Sequence, residues 1–496
     1  MLIGADLGTT ALKVALYDPK TGNRIAGESA DLPIDAGVDG RREQAPDAIV
    51  RALARAVRRI GQAAGGLDRV SGIGLASQGG SGIVADRKSG RALTPMVLWN
   101  DARAFPLLPA IAAERTASFW RARTLRDDPG MGLARLRQLS EEAPALVCPE
   151  NIYAGAGDYL YHHLTGQWRQ DACHALQTGC YDARTGALSR DLPAIAGIHF
   201  DFFPALRQGH ETFPLGSAAA RRLGLPVGIP VAGPYMDHEA GYLATAGLTP
   251  DPIQCSLGTA WVGNFQLPAT FTGYAPIQFS IPAPAGDGRL VIHPLLTGNV
   301  TWDWALREFV DPRPARALAE QARILDQDIL PPPGLVALPW LNQPNPLAPD
   351  LLGGCALLGA GPATDRADLL RAVASGMCFE LHRVFESAAT HGAVGSLVLS
   401  GGASRSPHFQ QLIAALFEPL PVWQLDDAAW MGTRGCLWAF SRRAARAGGR
   451  RVRPDGTVDR NALARGRKLY EEAFARIYGK VRAGRAYEVR PEGSVS

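Results

Sequence analysis

Hydrophobic residues along the chain follow two periodicities, and their alternation predicts a mixed α/β protein. Between residues 46 and 64, apolar side chains recur at spacings of three and four: Ile49, Leu53, Val57 and Ile60. That spacing predicts an amphipathic helix that begins near Pro46. Short apolar runs bounded by glycine, such as residues 70–78 and 228–233, predict buried strands instead.

Two strand–turn–strand segments resemble each other, and each opens one half of the chain. The first contains Asp6-Leu7-Gly8-Thr9-Thr10 and the second Ser256-Leu257-Gly258-Thr259-Ala260. A turn of this kind directs backbone N–H groups and hydroxyls to one point, and its glycine lets a polyphosphate approach closely. A single Gly-Thr turn is more commonly a plain turn. Two copies predict two similar domains that face one nucleotide from opposite sides.

A polar cluster follows the apolar run that starts at Met96. Trp99, Asp101 and Arg103 stand within five positions and combine an aromatic face with hydrogen-bonding groups, which suits a polyol pocket. A capped strand-to-helix turn with a surface ion pair explains the same residues equally well. The earlier run, residues 70–78, ends in an open glycine-containing loop that begins Gln78-Gly79-Gly80.

Two further strand ends carry candidate chemistry. Asp237 follows an apolar strand and precedes a run of small residues, where a helix N-terminus would favour an ionised carboxylate. From these residues alone, a simple N-cap is the commoner explanation. Near residue 400 a strand leads through Gly401-Gly402 into a helix, an arrangement that faces anions in some proteins and is an ordinary loop in most.

These segments together resemble the FGGY family of carbohydrate kinases, within the actin-like, ribonuclease-H-like ATPases. The resemblance rests on both hairpins, on Asp237 with Ala240 and Gly241, and on the Gly-Gly turn. It implies an α/β fold of two ribonuclease-H-like domains with an active-site cleft between them. It divides the chain into an N-terminal sugar-binding domain, residues 1–247, and a C-terminal adenosine-binding domain, residues 248–496.

The resemblance also implies a role for each matching residue. Asp237 is expected to be the catalytic base, and Asp6 is expected to hold Mg²⁺ directly or through water. ATP is expected to contact the following residues: Thr9, Thr10, Lys13, Gly258, Thr259, Gly298, Gly401, Gly402 and Ser406. The acceptor sugar is expected to contact another set, which includes the base: Gln78, Gly79, Gly80, Trp99, Asp101, Arg103, Asp237 and His238.

Two classes of function are compatible with these residues. The first is ATP-dependent phosphorylation of a sugar or polyol, with a pentulose such as xylulose or ribulose as the favoured substrate and glycerol or erythritol as alternatives. The second is an ATPase switch of the same fold that acts on no sugar. The sugar-side residues favour the kinase. Gly79-Gly80 replaces the Met-His of xylulose-type and the Arg-Glu of glycerol-type kinases, and His238 replaces an amide residue, so the substrate stays open.

Composition narrows the class of protein further. With 496 residues, a net charge of +4 and 46% hydrophobic residues, the chain is typical of a globular protein of two or three domains. Its densest basic run, between Arg442 and Arg453, lacks interleaved aromatics, which argues against nucleic-acid binding. None of its seven cysteines has CxxC spacing, and we expect buried thiols. Without a signal peptide or membrane span, we expect a cytoplasmic enzyme that binds a small molecule, and a homodimer stays open.

Overall fold

The computed structural model describes residues 1–126, 129–269, 278–295, 297–341, 354–389, 392 and 394–478. The chain forms two compact units. Unit 1 consists of Met1–Leu248, Phe279–Asp287 and Trp430–Ala447, and unit 2 consists of Thr249–Gln278, Gly288–Ala429 and Gly448–Ser496. The domain ranges 1–247 and 248–496 stay a prediction.

The first half of the chain contains fifteen strands and nine helices among its described residues. In chain order they are β1 Leu2–Leu7, β2 Ala11–Tyr17, β3 Arg24–Asp31, β4 Asp35–Ala36, β5 Arg42–Gln44, α1 Pro46–Ala64, β6 Gly72–Ser77, β7 Gly82–Asp86, β8 Met96–Val97, α2 Leu108–Ala113, α3 Ala117–Thr124, α4 Met131–Glu142, β9 Asn151–Gly155, α5 Ala156–Thr165, β10 Arg169–Gln170, α6 Ala172–Thr178, β11 Tyr181–Asp182, β12 Ala187–Leu188, α7 Asp191–Ile195, β13 Ala205–Leu206, β14 Thr212–Pro214, α8 Ser217–Leu223, β15 Pro230–Met236 and α9 Asp237–Ala246.

The second half continues the numbering. Its described elements are β16 Pro252–Leu257, β17 Trp261–Leu267, β18 Phe279–Pro282, β19 Arg289–Pro294, α10 Asn299–Phe309, α11 Pro314–Gln327, β20 Val336–Trp340, β21 Gly354–Leu358, α12 Arg366–Ala389, β22 Ser396–Ser400, α13 Pro407–Leu416, β23 Val422–Leu425, α14 Met431–Gly435, α15 Arg442–Ala445, β24 Gly449–Val452 and α16 Arg460–Tyr478. Short 3₁₀ turns lie at Phe105–Leu107, Pro144–Leu146, Phe200–Phe202, Ala403–Arg405 and Ala428–Trp430.

Unit 1 is organised around a six-stranded sheet with the order β14-β15-β6-β1-β2-β3. The strands β1, β2 and β3 form an antiparallel meander, whereas β6 runs parallel to β1 and β15 runs parallel to β6. The first predicted hairpin is therefore confirmed, with Leu7 paired to Leu12 across its turn. The predicted helix is also confirmed, and its four apolar residues lie in the core of this unit.

Unit 2 repeats this arrangement with its own strands in the order β19-β17-β16-β22-β23-β24. Here β19, β17 and β16 are the antiparallel meander, and β22 and β23 follow in parallel. The edge strand is antiparallel in both sheets, β14 against β15 and β24 against β23. The second predicted hairpin is confirmed, and each hairpin holds the same place in its sheet.

Helix α12 supplies much of the core of unit 2. Its residues Val373, Met377, Leu381 and Phe385 recur every four positions and are buried. Such spacing places them on one face of the helix, where they pack against the apolar face of the sheet. Among the described residues, no helix combines the length and the hydrophobicity needed to cross a membrane.

Candidate active site

Three candidate residues of unit 1 lie where three neighbouring strands of its six-stranded sheet end: Asp6, Gln78 and Asp237. Asp6 is the penultimate residue of β1, opposite Ala76 of β6, and Gln78 directly follows β6. Met236, the last residue of β15, pairs with Ser77, so Asp237 begins α9 at the same edge. Because the carboxyl ends of parallel strands share one edge of a sheet, residues far apart in sequence meet there.

The ionised form of the Asp6 carboxylate is disfavoured at this edge of the sheet. Burial, and secondly the nearby charge of Asp237, raise the pKa of Asp6 to about 6, and Lys13, its partner on β2, opposes that shift. Among the described residues, no hydrogen bond ends on this carboxylate. Two neighbouring acidic groups of which one lacks hydrogen-bond donors suit a hard divalent cation, which takes oxygen ligands and neutralises their charge. The residues present therefore fit Mg²⁺.

Asp237 occupies the first turn of α9, as the sequence predicted. Its Oδ1 accepts a hydrogen bond of 2.8 Å from the backbone N–H of His238. The junction is held by Arg207, which donates to the backbone oxygen of Pro234 at 2.9 Å and pairs with Glu239 at 2.5 Å. Since the side chains of Arg207 and Glu239 are only 8% and 5% exposed, this ion pair fixes the start of the helix against β15. Asp237 therefore sits on a rigid support.

Thr9, in the first hairpin turn, contacts residues predicted for the sugar. Its hydroxyl donates to Gln78 Oε1 at 2.8 Å and accepts from Trp99 Nε1 at 2.9 Å. Gln44 Nε2 donates to its backbone oxygen at 2.6 Å. Thr10 is exposed, and within the described part of the chain only its backbone oxygen is engaged, by the N–H of Leu32. The Thr9 hydroxyl thus contacts two of the predicted sugar-side residues, and its contact with a phosphate stays a prediction.

Asp101 and Arg103 bind each other. The Asp101 carboxylate accepts the Arg103 guanidinium at 2.8 Å and the backbone N–H groups of Arg42 and Arg103 at 2.7 and 3.1 Å. Burial would raise the pKa of Asp101, but these hydrogen bonds hold it below its usual value. Arg103 also pairs with Glu43 at 2.5 Å. The predicted strand here is short, because β8 ends at Val97, and Trp99 is 51% exposed.

Two residues that the sequence analysis did not single out support the Gly79-Gly80 loop. His174 accepts the Gly80 N–H on its Nδ1 at 3.2 Å, and burial lowers the pKa of this histidine to about 4. Arg135, on α4, donates to the backbone oxygens of Gly80 at 2.7 Å, of Asp101 at 3.3 Å and of Trp99. One buried guanidinium therefore connects both loops that carry candidate sugar-binding residues.

In unit 2 the predicted nucleotide residues also gather at one sheet edge. Ser256 pairs with Ser400, which brings the Gly258-Thr259 turn beside Gly401. Gly401 has φ +85°, and a Cβ there would overlap the backbone of Leu257. This position therefore requires glycine.

Asn299, which the sequence analysis missed, joins these turns. It is the first residue of α10, and its N–H donates to Gly258 O at 3.0 Å. Its Nδ2 lies 3.4 Å from the place of a Cβ on Gly402, and the backbone of Gly298 packs on Thr259. Ser406, predicted near adenosine, caps α13 by accepting the Phe409 N–H.

Other features of unit 2 hold none of the candidate residues. A cavity of about 450 Å³, mainly apolar, includes His382 and Glu386 in its lining. Together with Glu471, these two residues form a cluster of possible metal-ligating side chains among the described residues. Arg467 already lies 3.8 Å from each of the two glutamates, and the group is largely exposed. A solvated ion-pair network accounts for it.

The matching sheets and turns define a class of protein. Two α/β units with the same strand order, each with a Gly-Thr hairpin beside a glycine-bearing strand end, have the actin-like, ribonuclease-H-like fold. The chain belongs to the FGGY family of carbohydrate kinases. The model of the family's N-terminal domain matches residues 1–244, and that of its C-terminal domain matches residues 295–434.

Individual relatives show similarity along most of the chain. The glycerol kinase of Xanthobacter autotrophicus is 26% identical and covers 84% of this chain and 85% of its own length. The xylulose kinase of Bacillus subtilis is 25% identical, with coverage of 84% and 83%. The crystal structure of xylulose kinase from Rhodospirillum rubrum shares the fold, with a TM-score of 0.83 at 21% identity over 96% of this chain and 98% of that one.

Family membership decides between the two classes of function left open by the sequence. The protein is an ATP-dependent carbohydrate kinase rather than a switch of the same fold. Relatives named for different substrates stand at nearly equal identity, so the comparisons leave the sugar undetermined.

Proposed function

We propose that this kinase transfers the γ-phosphoryl group of ATP to a hydroxyl of a small neutral sugar or polyol, with Asp237 as general base. The observation that carries this assignment is the position of Asp237 at the sheet edge beside Asp6 and Gln78. Its Oδ1 accepts only the N–H of His238 among the described residues, which leaves acceptor capacity for a hydroxyl proton. In-line phosphoryl transfer needs such a group to orient the attacking oxygen and take its proton.

The nucleotide is assigned to the two hairpin turns and the glycine turn of unit 2. We propose that Asp6 holds Mg²⁺, which would supply positive charge to the phosphates, and that Lys13 adds a further positive point charge. Because the Thr9 hydroxyl is engaged, Thr9 and Thr10 would offer their backbone N–H groups to phosphate oxygens. Thr259, an exposed residue, would offer its hydroxyl. The remaining nucleotide contacts are proposed for Gly258, Gly298, Gly401, Gly402 and Ser406.

The acceptor is assigned to the groups around Trp99. Its half-exposed indole offers an apolar face to C–H groups, and Gln78 offers an amide to hydroxyls. Arg103 is already paired with two carboxylates, so it provides little attraction for an anionic substrate. We propose a pentulose such as xylulose or ribulose as the first candidate, with glycerol and erythritol next. We assign Asp101 and Arg103 to holding the Trp99 loop.

A substrate panel tests this proposal directly. Ketoses, aldoses and polyols are each mixed with ATP, Mg²⁺ and enzyme, and ADP formation is followed by a coupled assay. We expect sugar-dependent ADP release with one group of related acceptors, and a new phosphate ester in the products. ADP formation that is independent of every sugar would contradict the assignment.

A further inference from the structure

Gln177, on helix α6, occupies the space beside the Gly79-Gly80 loop. A Cβ placed on Gly79 would overlap the Gln177 Oε1, and a Cβ on Gly80 would lie 3.1 Å from it. The glutamine amide thus stands where a side chain at position 79 would otherwise project. The Cβ position on Gly80 also approaches Trp99 Cβ at 3.3 Å, and that on Gly79 approaches Met236 Cγ at 3.2 Å.

The amides of Gln177 and Gln78 both have unused hydrogen-bonding capacity. Gln177 Oε1 and Gln78 Nε2 are buried atoms without a hydrogen-bond partner among the described residues, and Gln78 is only 3% exposed. Buried amide atoms of this kind are costly unless something satisfies them. A hydroxyl group can accept from one amide and donate to another. Exchanging the oxygen and nitrogen of either amide leaves an unsatisfied polar atom in the same place.

The location of these amides connects them with the acceptor. Gln78 is held by Thr9, which also holds the Trp99 indole, and Met236 directly precedes Asp237. Gln177 therefore borders the loop between the proposed aromatic wall and the proposed base. Neither the family resemblance nor the comparisons assign it a role.

We propose that Gln177 is a specificity-determining residue that hydrogen-bonds a hydroxyl of the neutral sugar or polyol. Gly79 and Gly80 have no side chains with which to contact the sugar, and Gln177 supplies that contact instead. The inference rests on the proposed function, because it concerns the acceptor of that same reaction. A site built to hydrogen-bond a hydroxyl discriminates strongly against an analogue that lacks it, because its polar groups are then left unpaired.

The test uses Gln177→Leu, which keeps the approximate size and removes both hydrogen-bonding groups. With the best acceptor from the panel, we expect kcat/KM to fall about 10–100-fold, mainly through KM of the sugar, with KM of ATP unchanged. Single-deoxy analogues of that acceptor locate the contact. One of them should react poorly with the wild type, and its disadvantage should disappear in Gln177→Leu. The matched control is Gln62→Leu on the exposed face of α1, which should behave as the wild type.

A second variant covers the case in which Gln177→Leu does not fold. Gly79→Ala adds a Cβ that displaces the Gln177 amide, and it should reproduce the same loss of selectivity. The double variant should be no worse than either single variant, because both remove one contact. If the wild type phosphorylates an acceptor and the folded variants discriminate between that acceptor and its deoxy analogues as the wild type does, the proposed role of Gln177 is overturned. A wild type that phosphorylates no acceptor would instead overturn the proposed function.

Discussion

Replacing Asp237 with asparagine tests the proposed chemistry most directly. The new amide would keep the side-chain shape and an oxygen that accepts the His238 N–H, so the start of α9 should remain intact. It would lose the proton acceptor. A general base contributes about 10²–10⁴-fold to the rate, which corresponds to about 3–5 kcal/mol of activation free energy. The loss should appear in kcat, with KM of ATP nearly unchanged.

The structural cost of the same change is small and can be measured separately. Removing one negative charge from the first turn of a helix costs about 0.3–1 kcal/mol of stability, and here the relief of the repulsion between Asp237 and Asp6 offsets part of that cost. Asp47 provides the matched control, since it lies in the first turn of α1, is exposed and is not one of the candidate site residues. Asp47→Asn should show a similar small change in unfolding temperature with full kcat.

The assay is the coupled measurement of ADP release at saturating ATP and sugar, together with thermal unfolding of each variant. If kcat of Asp237→Asn stays within about threefold of the wild-type value, the reduction is far smaller than the loss of a general base should cause. That result would refute the reasoning and remove Asp237 from the proton transfer. Equal losses of activity in both aspartate variants would point to a folding effect instead.

Further variants separate binding, stability and metal effects. Trp99→Phe keeps the aromatic face but loses the Nε1 hydrogen bond, so KM of the sugar should rise about 2–10-fold; unchanged KM would contradict the sugar-side assignment. Asp101→Asn should lower the free energy of unfolding by about 1.5–3 kcal/mol by weakening the bond to Arg103, and an unchanged unfolding temperature would argue against it. Burial lowers the pKa of His162 to about 4, so its neutral form stabilises the fold above about pH 6.5 and that contribution is lost as pH falls towards 4. As pH falls from about 6.5 to 5, the unfolding temperature of His162→Phe should therefore rise relative to that of the wild type. A difference between the two unfolding temperatures that stays constant with pH would contradict the lowered pKa. Asp6→Asn should raise the Mg²⁺ concentration needed for half-maximal rate and leave KM of the sugar unchanged; an unaltered Mg²⁺ requirement would exclude Asp6 as the metal site.

Local patterns were sufficient to predict much of the fold. The helix Pro46–Ala64 was predicted from its apolar spacing, and both hairpins from glycine turns between apolar strands. The start of α9 at Asp237 was predicted from the change from an apolar strand to small residues. Each of these signals is short-range, so a single sequence contains it.

The partners of polar side chains could not be predicted in the same way. Of the two explanations that the sequence left open for Asp101 and Arg103, the structure shows the ion pair, because a buried carboxylate two residues from a guanidinium finds its partner locally. Their contact with a sugar stays a prediction. No local sequence motif marks three residues that the structure places at the candidate site: His174, Gln177 and Asn299. Their roles depend on which helix packs beside which loop, and this information is distributed over the whole fold.

Arg135 restricts the motion of two loops in the sugar-free protein, the Gly79-Gly80 loop and the loop that carries Trp99 and Asp101. Arg135 is 7% exposed, and its guanidinium reaches three backbone oxygens in two loops. Neither loop can therefore move without breaking a charged hydrogen bond in a buried setting. Ordering a flexible side chain or loop during binding costs about 0.5–1.5 kcal/mol for each group immobilised. Here that entropy is lost during folding, so the binding energy of the sugar remains available for aligning its hydroxyl with the phosphate.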